Sequence, residues 1–359
     1  MLSILDKYII KRFLKTFFFI FGVVMLLSMV FDIAEKLSYF LERNATWQEL
    51  VFEYYVSFIL YFGNMFSFLI IFISVIWFTA KMASDTEIIP ILNSGKPFGR
   101  FVRPYMIAAT FLMLISLILN HFVIPNTNRM RLNFEEKFYR EQMYVDEYHA
   151  EYPGGQIVYF KSYDAIKDRA MNFVLEQEDE SGVGITYFIK AESAENVPGT
   201  DKWILRNYYE RIHGDTNDVV RDGLRKDTVF QFRMTEIAQR ENVAETMPYY
   251  ELKEFIERER VKGSSMVPLY EIELYQRTSY PFATYVLVLI GIAVASRKRR
   301  GGIGIGLAVG ILISFMYIFA MKITSVAATN LGFPAYLAVW IPNVTFAGVA
   351  YVLYRRAMR

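Results

Sequence analysis

The hydrophobic positions of this chain fall into six long runs, and a polar stretch separates the first three from the last three. Each run has about the 20 mostly apolar residues that a helix needs to cross a bilayer. The pattern therefore predicts six transmembrane helices, and the first run is too long for a cleaved signal peptide. The runs cover residues 17–39, 54–80, 101–124, 274–296, 303–323 and 334–354.

The polar stretch between the runs, residues 125–270, has a different pattern after residue 155. Short segments rich in β-branched and aromatic residues alternate with turn-forming clusters, which is typical of an all-β sandwich or open barrel. Ile157 and Tyr159 are two residues apart, as are Phe230, Phe232 and Met234, and other residues stand between them, so one face is predicted to be apolar. Such a face is either a closed core or a groove for an apolar ligand or an added strand. The segments are 156–160, 171–175, 184–191, 203–212 and 228–234.

The last part of this stretch, residues 250–262, predicts a helix that returns the chain to the fourth run. Leu252, Phe255 and Ile256 lie on one side at helical spacing, and charged residues lie on the other. The chain is thus predicted to have three parts. Residues 1–124 form helices one to three, residues 125–270 an inserted β domain with its flanking helix, and residues 271–359 helices four to six.

The charged residues divide the chain at the same boundaries as the hydrophobic pattern. With 54% hydrophobic and 21% charged residues, the chain is neither disordered nor typical of a soluble domain. Residues 125–270 contain 20 Lys+Arg and 27 Asp+Glu, net −7, whereas the rest of the chain is net +9. Basic residues flank both termini and the loops after the second and fourth runs. Because such flanks mark the cytoplasmic side, both termini are predicted to be cytoplasmic and the inserted domain to lie on the opposite side.

The residues of common catalytic and metal sites are scarce in this sequence. There is no cysteine and there are only three histidines, far apart, so no metal site is predicted. No Walker A pattern occurs, and no acid–base cluster is found in the runs. Each basic run abuts a hydrophobic run, which argues against nucleic-acid binding. We therefore expect no catalytic residues, no cofactor and no nucleic-acid partner.

Three glycines at the start of the fifth run recur every four residues and so share one helix face. Glycines at this spacing allow another helix to approach closely in lipid. A dinucleotide-binding loop is not indicated, because no strand precedes them. The predicted helix-packing residues are Gly302, Gly306 and Gly310.

The loop between the second and third runs predicts a short amphipathic helix at about residues 84–95. Ser84 or Asp85 can cap this helix, Glu87 then lies in its first turn, and Gly95 can end it. The helix either lies on the membrane surface or docks on a soluble partner. Its apolar stripe consists of Ile88, Ile91 and Leu92.

Four basic residues stand near the ends of the runs: Lys36, Arg129, Arg131 and Lys322. The first interpretation is that they are ordinary interfacial residues, because at the membrane interface such side chains extend to water at little cost. A second interpretation is a charged vestibule for an anionic amphiphile, because lysine and arginine bind phosphates well.

Four segments resemble the LptF/LptG family, the membrane subunits of the lipopolysaccharide export ABC transporter. Residues 5–17 resemble the family's N-terminal helix, and residues 86–95 resemble its coupling helix, with Glu87 at the glutamate position. Residues 247–263 resemble the helix after the β domain, and residues 270–295 the start of span four, including Arg277 and Pro281. The resemblance covers nearly the whole chain.

The resemblance implies an α-helical inner-membrane protein of six transmembrane helices with an inserted, all-β, jellyroll-like periplasmic domain. It implies pairing with a second LptF/LptG-type permease, an LptB-like cytoplasmic ATPase, and LptC/LptA-like periplasmic proteins that receive the lipopolysaccharide. The implied ATPase-coupling residues are Glu87, Ile88, Ile91, Leu92 and Gly95, and the implied contacts to lipid phosphates are Lys36, Arg129, Arg131 and Lys322.

Two residues depart from the family's pattern. Asp32 stands where a relative has a lysine, with Lys36 one turn later, and Pro90 lies inside the coupling helix, where proline removes a backbone hydrogen bond.

Two other classes of function compete with transport. One is a membrane-tethered sensor or binding module, and the other is an integral membrane enzyme acting on lipid. Copurification of an ATPase distinguishes the transporter from both.

Overall fold

A computed structural model describes the chain over residues 3–93, 95, 97–138, 144–152, 155–164, 169–179, 184–197, 200, 202–214, 217–230, 243–264, 266–296 and 302–358. The chain divides into two compact units, each described here by itself. The helical unit contains residues 1–139, 245–252 and 268–359, and the β unit contains residues 140–244 and 253–267. In this division the helix that follows the third span belongs to the helical unit.

The helical unit contains most of the chain's helices. Two π-helical turns, Glu49–Tyr55 and Leu119–Val123, lead into α2 and α6, and a 3-10 turn, Val243–Thr246, precedes α7. The helices are α1 (Ile4–Glu42), α2 (Val56–Met65), α3 (Ser67–Ser84), α4 (Ile88–Asn93), α5 (Phe98–Ile118), α6 (Ile124–Phe138), α7 (Tyr249–Val261), α8 (Val267–Ala295), α9 (Gly302–Asn330) and α10 (Ala335–Ala357).

Six helical stretches are long and apolar enough to cross a membrane, as the hydrophobic pattern predicts. The second stretch is shorter than the predicted run 54–80, because Phe66 ends α2 and the apolar helix restarts at Ser67. With 39 residues α1 is about 58 Å long, nearly twice the thickness of a hydrocarbon core. The six stretches are Ile4–Glu42, Ser67–Ser84, Phe98–Phe138, Val267–Ala295, Gly304–Asn330 and Ala335–Ala357.

Helices α3 and α8 form the centre of the helical unit. One side of α3, with Ile71 and Val75, joins a buried cluster with α1, α4 and α5. The other side, with Phe72 and Ile76, joins a second cluster with α9 and α10, and α8 contributes to both. By contrast, only 11% of the most apolar window of α1 and 22% of that of the fifth span are buried within the chain.

The β unit is built on an antiparallel sheet whose six described strands are hydrogen-bonded in sequence order, β1-β2-β3-β4-β5-β6. Each strand pairs with the next along the chain, so the expected all-β inserted domain is confirmed. The strands are β1 (Tyr144–Tyr152), β2 (Gln156–Asp164), β3 (Arg169–Glu178), β4 (Ile185–Asn196), β5 (Lys202–Ile212) and β6 (Val219–Val229).

One face of this sheet carries the apolar core. Val158 pairs with Leu175, and both are buried, as are Phe160 and Trp203. The alternation predicted for β2 is right, but its assignment is wrong by one residue, because Val158 and Phe160 face the core instead of Ile157 and Tyr159. A shift of one residue exchanges the two faces of a strand. Of the other predicted face, Phe230 is buried, and Phe232 and Met234 lie outside the described residues.

The helix predicted after the strands at 250–262 is α7, Tyr249–Val261. Leu252, Phe255 and Ile256 are all buried, whereas Tyr250 and Val261 are exposed. The amphipathic pattern thus places these three apolar side chains correctly.

Candidate coupling and lipid-contact sites

The short helix α4 begins later than its sequence predicts. Ser84 belongs to the last turn of α3, and Asp85 is the C-cap of that helix, so neither residue caps α4. Thr86 then turns the chain with a positive φ of 62°, and the backbone N–H of Glu87 donates to the carbonyl of Met82 at 2.9 Å. Because Ser84 and Asp85 end α3 and Thr86 forms the turn, α4 begins only at Ile88 and spans Ile88–Asn93.

The apolar stripe of α4 is directed into its own protein. Ile88 is 2% exposed and belongs to the buried cluster of α1, α3 and α5, and Ile91 packs against the same cluster. The side chain of Leu92 lies outside the described part. Ile89, one residue after Ile88, is half exposed. Gly95 follows the helix with a positive φ of 76°, a conformation that favours glycine, which accords with the predicted end of the helix.

The carboxylate of Glu87 is held by the first turns of α1. Arg12 Nη1 donates to Glu87 Oε1 at 3.1 Å, and the hydroxyl of Tyr8 donates to Glu87 Oε2 at 3.0 Å. Arg12 also donates to the Tyr8 hydroxyl, so the three side chains form a closed triangle. Glu87 therefore already has partners within the chain, 75 and 79 residues earlier in the sequence.

A second polar contact joins α1 to the segment that follows α4. Both terminal nitrogens of Arg100, in the first turn of α5, donate to the two carboxylate oxygens of Asp6 at 2.7 Å. Asp6 also accepts from the backbone N–H of Ser3, and Ser3 accepts from Asp6, which makes a capping box at the start of α1. The Asp6 side chain is only 2% exposed, so its charge depends on Arg100 for compensation.

Lys36 has an ion-pair partner in the structure. Its ammonium lies 2.6 Å from Asp32 Oδ1, with side-chain exposures of 12% and 10%, and it also contacts the hydroxyl of Tyr54. Tyr54 and Tyr55 donate to Asp32 at 3.1 and 3.2 Å. An apolar cavity of about 430 Å³ lies beside this cluster, between the second half of α1 and the residues up to α2, and Tyr55 is in its lining.

Arg131 is buried and fully engaged. It donates to Glu135 at 2.5 Å and to Asn128 at 2.9 Å, and its guanidinium lies 4.8 Å from the ring centre of Tyr61 and 5.2 Å from that of Phe62. The side chains of the ion pair are 6% and 8% exposed. The guanidinium of Arg131, on α6, thus has a carboxylate on its own helix and two aromatic rings of α2 as neighbours, which balance its charge where water is excluded.

Arg129 and Lys322 are the accessible members of the basic set. Arg129 pairs with Glu251 at 3.2 Å, but the two side chains are 46% and 47% exposed. Lys322, on α9, is exposed and has no ion-pair partner among the residues that the structure describes. The four basic residues are thus of two kinds, two buried or nearly buried in pairs and two available to solvent or lipid.

Gly306 and Gly310 of α9 face α3. A Cβ added to Gly310 would collide with Cδ1 of Ile76, and one added to Gly306 would touch Ile76 and Ala80 at 3.7 and 4.0 Å. The surroundings of Gly302 lie outside the described part. The two described glycines thus lie where α9 approaches α3.

The segment that returns from the β unit is fixed within the helical unit by buried polar groups. Arg277, 4% exposed, donates to the carbonyl of Met247 at 2.8 Å and pairs with Glu273 at 3.1 Å. Glu245 accepts from Asn128 at 3.2 Å. Arg277 therefore lies on α8 where it holds the chain that leads into α7.

The fold and these contacts are accompanied by a match to a known family. The family described as the lipopolysaccharide export system permease LptF/LptG matches residues 7–356, nearly the whole chain. The chain belongs to the LptF/LptG family. A search of the curated proteins finds no match.

Membership confirms the family resemblance and the fold class of six apolar helices with an inserted β domain. This LptF/LptG protein is a multi-pass membrane protein and a transporter permease subunit, and a permease of this family is not itself an enzyme. The family match assigns no role to an individual residue, so such roles are argued from the contacts described above.

Several polar contacts of this LptF/LptG permease are not predicted by its sequence. No sequence pattern connects Tyr8 and Arg12 with Glu87, or Arg100 with Asp6, although these side chains are in contact. Tyr54 lies within a predicted hydrophobic run, although its hydroxyl bonds to Asp32. The one signal available was Asp6 three residues after Ser3, a capping-box spacing that places Asp6 at the start of a helix.

Proposed function

We propose that this permease is the membrane subunit of an ABC transporter that extracts lipopolysaccharide from the inner membrane. A separate, LptB-like cytoplasmic ATPase supplies the energy, and LptC/LptA-like periplasmic proteins receive the lipid. The observation that carries the proposal is the match to the lipopolysaccharide export permeases over residues 7–356. In this proposal ATP is hydrolysed by the partner, and the work of the permease is binding, positioning and movement.

In this proposal both termini and α4 lie in the cytoplasm, and the β unit lies in the periplasm. The distribution of charge supports this orientation. The residues outside 125–270 carry a net charge of +9, much of it in the flanks of alternate spans, and the residues within carry −7. Basic flanks favour the cytoplasmic side.

The ATPase docks on the loop that contains α4. Ile88 and Ile91 hold the helix against the bundle, so its outward face presents Ile89 and Pro90, both exposed. Proline at the third position of a helix lacks only an N–H that has no intrahelical partner in the first turn, so Pro90 is compatible with the helix. Gly95 lets the chain turn away toward α5. Glu87, at the start of the helix, sets its position through Tyr8 and Arg12.

The lipid phosphates bind to exposed cations of the basic set. Arg129 and Lys322 are accessible without rearrangement, whereas Lys36 and Arg131 have to exchange a carboxylate partner for a phosphate. The apolar cavity beside Tyr55 offers space for an acyl chain close to Lys36. Together these features fit an amphiphile with an anionic head and an apolar tail.

The second permease pairs with this one through spans that the chain itself leaves open. The first and fifth spans are the least buried of the six, at 11% and 22% of their most apolar windows. A helix that is apolar all round and little covered by its own chain lies against lipid or a partner helix. A paired permease would cover part of these faces and enclose the lipid site.

Copurification tests this function. The chain is expressed with its genomic partners, extracted in detergent, and examined for a P-loop ATPase that remains bound. We expect an ATPase with the wild-type chain and with Asp85→Asn, and loss of ATP-dependent lipid release with Glu87→Ala or Glu87→Lys. An inserted wild-type complex without any bound ATPase contradicts the transporter and favours a membrane-anchored periplasmic sensor or binding module.

A further inference from the structure

Two ion pairs connect the loop around α4 to the same end of α1. Before α4, Glu87 pairs with Arg12 at 3.1 Å, and after α4, Arg100 pairs with Asp6 at 2.7 Å. Asp6 and Arg12 are six residues apart, or about 9 Å along a helix. The loop from Glu87 to Arg100 is therefore attached at both ends to less than two turns of α1.

Apolar contacts fill the space between the two pairs. Ile88 belongs to the same buried cluster as Ile9 and Phe13, which lie between and just beyond the paired residues of α1. Phe98 and Phe101, on either side of Arg100, belong to this cluster too. The loop thus has polar attachments at each end and a close-packed apolar contact between them, and packed interiors transmit displacement with little compression.

The two pairs differ in strength. The Asp6 carboxylate is 2% exposed, receives two parallel bonds from Arg100, and also accepts from the Ser3 backbone. Bidentate charge-assisted bonds to a buried carboxylate are among the strong ones. Arg12 and Glu87 are 42% and 32% exposed, so solvent screens that pair and it adds little by itself. Tyr8 strengthens the Arg12–Glu87 pair, because its hydroxyl also donates to the Glu87 carboxylate.

We propose that the first turns of α1, Glu87, α4 and the first turn of α5 move as one rigid body, and that the Asp6–Arg100 pair transmits the displacement of α4 into α1. This inference rests on the proposed coupling to an ATPase. It makes Asp6, Arg12 and Arg100 positioning residues, which act through α4 and touch neither nucleotide nor lipid. Because α1 is the span least covered by the chain, its movement changes the face that meets lipid or partner.

The test is the amount of lipid released per ATP hydrolysed by the reconstituted complex. We expect Arg100→Gln to lower this ratio by about fivefold, within the range by which changes along a coupling network alter coupling, while ATP hydrolysis continues. Arg103→Gln is the matched control, because Arg103 lies one turn later on α5 and is exposed. An unchanged ratio in Arg100→Gln overturns the proposal.

Two further variants separate transmission from folding. Arg100→Lys keeps the charge but loses the two parallel bonds, so we expect an intermediate ratio with normal insertion. The exchanged pair Asp6→Arg with Arg100→Asp restores an ion pair and is expected to recover most of the ratio lost in Arg100→Gln. Failure of the exchanged pair to recover any coupling, in a complex that inserts normally, counts against the pair as transmitter.

A distance measurement tests the rigid body without altering either pair. The chain contains no cysteine, so spin labels at Lys11→Cys and Asn93→Cys, both exposed positions, are the only ones attached to it. We expect the same distance with and without trapped nucleotide in the complex. A nucleotide-dependent distance shows that α4 moves relative to α1 and overturns the proposal.

These outcomes are distinct from failure of the proposed function. If no ATPase binds the wild-type chain, the transporter function fails and every variant behaves alike. If the ATPase binds and drives lipid release in the wild type, and Arg100→Gln releases as much lipid per ATP, only the transmission through α1 fails.

Discussion

The ammonium of Lys36 and the carboxylate of Asp32 meet at 2.6 Å, one turn apart on α1, with both side chains nearly buried. Tyr54 and Tyr55 complete the surroundings of Asp32. The lysine charge that a lipid phosphate would need is therefore already balanced. Removing one member of the ion pair takes away the opposite charge beside the other, nearly buried member, which is more costly than removing both.

We expect Lys36→Met to destabilise the helical unit by about 3 kcal/mol, and the double variant Asp32→Asn with Lys36→Met to regain most of that loss. Thermal unfolding of the purified protein in detergent measures both. Glu35→Gln, at the exposed position next to Lys36, is the control. Equal stability of Lys36→Met and the wild type would show that the ion pair contributes nothing.

Arg131 and Arg129 are expected to respond differently to substitution. Arg131→Met removes the guanidinium that pairs with the buried Glu135 carboxylate and is expected to cost about 3 kcal/mol. Arg129→Gln breaks an exposed pair and is expected to change stability by less than about 1 kcal/mol. If Arg129 contacts a lipid phosphate, the same variant weakens lipopolysaccharide binding in a detergent-based binding assay. Matching effects of the two variants on stability contradict the difference in burial.

The contact of α9 with α3 is tested by glycine substitutions. Gly310→Ala introduces a Cβ that collides with Cδ1 of Ile76 and is expected to destabilise by about 1 kcal/mol or more. Adding Ile76→Val removes that methyl group and is expected to restore the melting temperature. Gly304→Ala is the control, since nothing lies within 4 Å of its added Cβ. If both glycine variants melt alike, α9 does not pack on α3 at Gly310.

The β unit is expected to lose stability in acid. Burial raises the pKa of the Glu210 carboxyl, but hydrogen bonds from Lys226 and Tyr187 outweigh it and hold the pKa below the usual 4.5. Arg211, and then His213, lower the pKa of Asp218 as well. A carboxyl with a lowered native pKa stabilises the fold above its unfolded pKa, and this contribution disappears as the pH falls through the native pKa.

Hydrogen exchange of β5 and β6, corrected for the intrinsic rate at each pH, measures this loss. We expect protection to fall as the pH is lowered below the usual glutamate pKa of 4.5 toward the lower native pKa of Glu210. The fall is expected to be smaller in Glu210→Gln, which lacks the titrating group. Glu254→Gln, exposed on α7 and outside the sheet, is expected to behave as the wild type. Equal acid sensitivity in Glu210→Gln would remove Glu210 as a cause.

Hydrophobic pattern was enough to predict the six spans and the inserted β domain, because these depend on composition over tens of residues. The hydrophobic pattern gave wrong assignments where a shift of one or a few residues changes which side chain faces the core or caps a helix. The alternation in β2 has apolar or aromatic residues on both faces, so Ile157 and Val158 were equally plausible core residues, and only pairing with Leu175 decides between them. Likewise Ser84 and Asp85 are good N-caps, but they lie in the end of α3.

The polar contacts around α4 could not be predicted from the sequence for a different reason. Glu87 pairs with Arg12 across 75 residues and Asp6 with Arg100 across 94, and no local pattern connects positions so far apart. The sequence marks these residues as charged and near a span, which is also true of residues that stay in solvent. Only the packing of α1 beside α4 and α5 brings them together.

The sequential order of the described strands bears on how the β unit forms. Each of the six strands pairs with its immediate neighbour in the chain, so every described ladder closes a short loop. Short loop closures have a small entropic cost and favour rapid folding. We therefore expect the sheet to assemble progressively from β1 to β6 during synthesis, before the last three membrane helices have left the ribosome.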